Sequence, residues 1–95
     1  MDPSRVAIFM SDLIEEQLQH YDTDEERIQC LDDAMRSLYV FQDFVSDMFD
    51  AMVEVCMPDA NVLLTHALWN DLNDDKNMRF LWNEAQTLLD DLRSQ

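Results

Sequence analysis

The 95-residue chain contains no glycine and only two prolines, Pro3 and Pro58. Hairpins and tight β-turns need residues that accept positive φ, and here only Asn and Asp could serve, which argues against a sheet protein. Cysteine is scarce too. Cys30 and Cys56 would stand about 39 Å apart on one continuous helix, beyond the reach of a disulfide, so both are expected as reduced core residues. No charged start leads into an apolar segment, and every apolar run falls short of the roughly 18 residues a spanning helix needs. The expectation is a soluble, cytoplasmic protein, in the cytoplasm of a host cell if it is phage-encoded.

Positive charge is the other shortage. Six Lys and Arg stand against 21 Asp and Glu, a formal net charge of -15. That balance disfavours nucleic acid and anionic membrane as direct partners and favours a basic protein surface, which long-range attraction would bring in quickly at low salt.

What is present is apolar content: 47% of residues, enough for a folding chain rather than a disordered one. Residues 1–95 fit one acidic helical domain. A chain of this length sits close to the lower limit for a self-sufficient core, so a homodimer would add stability. The fold class expected is all-α, a small bundle of four or five helices with one long central helix and no β-sheet.

The first helix is expected from Pro3, capped by Asp2, with Val6, Phe9, Met10, Leu13, Ile14, Leu18 and Tyr21 as its core-facing stripe. Asp22 and Thr23 form the connector, and Thr23 with Glu26 makes a capping box that starts the second helix. From Asp24 to about Met57 nothing breaks the pattern, and residues from Ile28, Leu31 and Met35 through Leu38 and Gln42 to Cys56 step by three and four. One long helix is expected there, with Ser37 to Val40 as the place where it would bend. Pro58 ends it. Asp59 should cap a helix over roughly Ala60 to Leu72, and Asn73 or Asp74 the last, roughly Asp75 to Leu92, with Arg93 suiting its dipole. Trp69 and Trp82 are read as packing anchors, and Met35, Met48 and Met52 as core filling.

Within the long segment, Asp43, Asp47, Asp50 and Glu54 recur at helical spacing and fall within an arc of about 60°. Apolar residues from Phe44, Met48 and Val55 round to Val45, Phe49 and Met52 cover roughly 200° of the remaining surface, twice an ordinary core stripe. A helix so covered must be central or must also supply an interface. No base lies within three or four residues of the acids, and Ser37 to Asp75 contains eight acids and no Lys or Arg, adding Asp59, Asp71, Asp74 and Asp75 to the row. Like charges at that spacing destabilise a helix slightly. The row therefore has a cost that a merely solvated edge, dotted with lysines, would avoid. Successive carboxylates rise by about 6, 4.5 and 6 Å, the same scale as the charges along one nucleic-acid strand, about 3.4 Å apart.

Catalytic patterns are missing. No Glu-x-x-His pair or His-x-x-x-His face suggests a metal centre, the acids from Asp22 to Asp33 have Arg27 where a calcium loop requires Gly, and there is no phosphate-binding loop. No enzyme, cofactor or metal is expected. In composition the chain resembles the broad class of small, strongly acidic phage or mobile-element proteins that mimic nucleic acid and block enzymes of host defence. That resemblance implies a non-catalytic inhibitor, of the anti-CRISPR or anti-restriction kind, bound to a basic nucleic-acid-binding enzyme or complex. Asp43, Asp47, Asp50 and Glu54 are the expected contact residues, with Asp71, Asp74 and Asp75 as a flanking patch. The alternative is a helical interaction module, such as a chaperone, immunity protein or assembly adaptor, that binds through the apolar surplus around Phe41, Phe44, Met48 and Val55.

Overall fold

A computed structural model describes residues 2–95, in which helices are the only regular secondary structure and no strand occurs. Five helices follow in order: α1 (Arg5–Leu18), α2 (Asp24–Ala34), α3 (Leu38–Cys56), α4 (Val62–Leu72) and α5 (Asp75–Arg93). α5 packs against α1, α2 and α4, and α1 also meets α3 and α4. No helix among the described residues is long and apolar enough to cross a membrane.

The segment expected as one rod from Asp24 to Met57 is two helices. α2 ends at Ala34, Met35 leaves helical geometry, and Ser37 is extended (φ -155°, ψ 165°) with its hydroxyl accepting from the Val40 amide at 3.2 Å. The N-cap at Ser37 resets the helical phase, so the single seam does not run through. In α3 the inward residues are Phe41, Val45, Phe49 and Met52, while Leu38, expected in the seam, is 71% exposed. The chain bends so that α2 and α3 also pack on each other, and the 39 Å separation inferred for the cysteines loses its premise.

Two other boundaries move for identifiable reasons. α1 starts at Arg5, not Pro3, because Ser4 rather than Asp2 is the cap, its hydroxyl accepting from Ala7 N–H at 3.2 Å. Ser4 is held by a contact from the far end of the chain: its own amide donates to Asn77 Oδ1 at 3.0 Å. α4 is capped by Asn61, not Asp59. Asp59 lies in a turn closed by Ala60 N–H on the Met57 carbonyl at 3.0 Å, which delays the helix. Pro58 ends α3 and Asp74 caps α5 as the sequence indicates.

The core is one cluster drawn from all five helices, including Met10, Ile14, Leu31, Phe41, Phe49, Leu72 and Leu81. Trp82 meets Phe41 edge-on with ring centroids 5.2 Å apart, and Trp69 tilts against Phe49 at 5.5 Å. Both tryptophans thus anchor α3 to the helices that follow it. Arg27 closes the α1–α2 corner: its guanidinium donates to the carbonyls of Leu18 (2.9 Å) and Tyr21 (2.6 Å) and pairs with Asp24. The Thr23 hydroxyl caps α2 by accepting from Glu26 N–H, and donates in turn to the Glu26 carboxylate.

Candidate functional site

Asp43, Asp47, Asp50 and Glu54 all lie on α3 and all are exposed. The helix is unbroken across them, so the row inferred from spacing exists as one strip of carboxylates. Among the described residues three ion pairs form, Arg27–Asp24, Arg79–Asp75 and Arg93–Asp32, and none reaches this row. α3 has no acidic residue in its first turn and no basic one in its last, so Glu54 sits near the negative end of the helix dipole without relief.

The flanking patch is different in kind. Asp71, Asp74 and Asp75 are exposed at the α4–α5 corner, but two of them have work inside the fold. Asp74 Oδ1 accepts from Lys76 N–H at 2.9 Å, and Asp75 is paired with Arg79 on the next turn of α5. Asp71 offers its backbone carbonyl to Asn77 Nδ2 at 2.6 Å, leaving its carboxylate outside any ion pair among the described residues. A bond from Gln42 Nε2 to Asn73 Oδ1, 2.6 Å long, ties the start of α3 to this corner. Asp43 and Asp74 each lie one residue beyond a partner in that side-chain bond.

Sequence reasoning missed what lies beside the row. A groove of about 610 Å³ opens between α1 and α3, lined by Phe9, Leu13, Phe44, Met48, Met52 and Val55 among others, with Asp47 and Glu16 also in its wall. The signal was available in the broad apolar arc of α3. Phe44 and Met48 are only half-buried and Val55 is 80% exposed, because the neighbouring helices cover the side of the arc that carries Val45, Phe49 and Met52 and leave the Val55 side open. Phe9 and Tyr21, expected in the core, are 46% and 39% exposed at the same opening.

Both cysteines are free and both line this groove: Cys30 is half-buried and packs against the core, near its expected place, whereas Cys56 is exposed, which corrects its expected place in the core. The Tyr21 phenol is raised above its ordinary value, first by side-chain hydrogen bonding with Cys30, then by the Cys30 charge and by burial. Among the described residues no three His, Cys, Asp or Glu side chains converge in a way that could hold a metal ion. What the arrangement offers is recognition: an anionic edge laid along an apolar trough.

No protein-family model, curated protein or solved structure matches the chain.

Proposed function

We propose that the protein is a non-catalytic inhibitor that binds a basic nucleic-acid-binding protein through the carboxylate row of α3, in the place its nucleic acid would occupy. One observation carries this reading: Asp43, Asp47, Asp50 and Glu54 are exposed on one helix face and no described Lys or Arg pairs with them. A row like that destabilises its own helix, a cost that interspersed charges of both signs would avoid, and a binding role accounts for it. The net charge of -15 strengthens attraction to a cationic channel and excludes the channel's own ligand by repulsion. A restriction or CRISPR complex of the kind that acidic phage proteins block is the setting the composition suggests.

Wild-type protein and the variant carrying Asp43→Lys, Asp47→Lys and Asp50→Lys, used as parallel baits in cell lysate, test the reading. The wild type should retain a nucleic-acid-binding protein that the variant does not and that duplex DNA or RNA displaces. Retention of the same protein by both baits, undisturbed by nucleic acid, overturns it.

A second reading, an interaction module that binds through its apolar face, is favoured by the open groove and the exposure of Val55. Salt separates the two. Affinity carried by the row should fall steeply between low and moderate salt, whereas affinity carried by the groove alone should barely change.

A further inference from the structure

We infer that the groove between α1 and α3 is the seat of an amphipathic helix from the partner, one whose apolar ridge is flanked by Lys and Arg. The inference rests on the proposed role of the α3 acids and names the element of the partner that they address.

Three features of the groove define its occupant. Its floor is apolar and adaptable, with Met48 and Met52 beside Phe44 and Leu13, and thioether side chains repack around whatever ridge is laid on them. Its length suits a helix: Phe44 to Cys56 on α3 spans about 18 Å, or roughly three turns. Its walls are anionic. Asp47 and Glu16 line it from opposite helices, and no Lys or Arg does. Asp47 is the member of the row that lines the groove. At 100° per residue Asp43, Asp50 and Glu54 lie within about 60° of it and flank that bank without lining it, as Asp12, one turn before Glu16, does on the other helix.

An apolar trough between two anionic banks selects against most occupants. A second copy of this chain would bring its own charge of -15 to the contact, and anionic lipid or nucleic acid would be repelled in the same way. A helix with apolar residues at i, i+3, i+4 and i+7 fills the trough, and bases on its flanks meet both banks. Charge complementarity then fixes the register and supplies the salt-dependent part of the affinity, and apolar contact in the trough adds to it.

The test uses the full chain and two synthetic helices of about four turns with identical composition. In one, Leu residues form a single ridge between Lys and Arg; in the other the same residues are scrambled around the helix. The ridged peptide should bind at least about tenfold tighter and shift the methyl resonances of Met48 and Met52. Ala51→Trp, which fills the groove from an exposed position, should cost about tenfold in affinity for the ridged peptide. Val55→Gln, at a position too exposed to support the fold, should weaken it in the same direction whether or not Ala51→Trp folds. Reversal of Asp43, Asp47 and Asp50 should weaken both peptides.

Equal affinity for the two peptides, or a Val55→Gln variant that binds as tightly as wild type, overturns the groove assignment while leaving the acidic row to be judged by the lysate experiment. Affinity for the ridged peptide that neither salt nor charge reversal lowers overturns the basic character assigned to the occupant, and counts against the role of the row as well.

Discussion

Asn77 is the one buried polar side chain among the described residues, only 1% exposed, and both ends of its amide are used. It accepts from Ser4 N–H, 73 residues away in sequence, and donates to the Asp71 carbonyl, joining the start of α1 to the α4–α5 corner. Replacement by Leu keeps the volume but strands a buried donor and acceptor, and should cost about 2 kcal/mol. Urea unfolding should show a lower midpoint with an unchanged slope. Arg27 does comparable work at the α1–α2 corner, where three of its nitrogens have separate partners. Arg27→Ala should cost roughly 1.5–3 kcal/mol, and Arg27→Lys should recover little, because an ammonium cannot reproduce the planar fork. Neither residue stood out in the sequence. An Asn four residues after Asn73 and an Arg one residue past a capping box both read as solvated side chains until the remote carbonyl or amide is in place.

Helices were legible wherever an apolar stripe and a local cap agreed. The stripe of α5, from Met78 to Leu92, and its Asp74 cap needed no tertiary information. The division between α2 and α3 was harder to read because the apolar steps of three and four continue in number across a break that changes their phase. Ser37 makes the break, and Ser37→Ala should cost about 1 kcal/mol of stability through the lost cap, measured by thermal or urea unfolding. α3 also carries a destabilising feature that helix physics would remove. Glu54 lies in the last turn, against the dipole, and three carboxylates precede it on the same face. Glu54→Gln should therefore raise stability by a few tenths of a kcal/mol and weaken partner binding, the opposed signs that mark a surface kept for function. Equal gains in both would remove Glu54 from the interface.

For the molecule as a whole, charge and apolar exposure belong together. Of the eight acids between Ser37 and Asp75, only Asp75 has an ion-pair partner among the described residues. Folding gathers this unbalanced charge into a smaller volume, so the midpoint of unfolding should rise as added salt screens it, opposite to a fold held by surface ion pairs. The acidic row was readable from the sequence because it depends only on helical periodicity within α3. The groove was not, since its second wall belongs to α1 and its opening is set by how far α1 reaches across α3. The flanking acids were half-readable: their position at the α4–α5 corner and the Asp74 cap followed from the turn, but the pairing of Asp75 with Arg79 one turn along α5, which quenches part of the patch, was not drawn from the sequence.

The most direct measurement is the affinity of the captured nucleic-acid-binding partner for wild type and for the Asp43→Lys, Asp47→Lys, Asp50→Lys variant, each titrated at low and at moderate salt. Wild-type affinity should drop steeply with salt, and the variant, still fully helical by circular dichroism, should bind weakly at both. Binding by the variant as tight as that of the wild type, with little response to salt in either, would contradict the role assigned to the row.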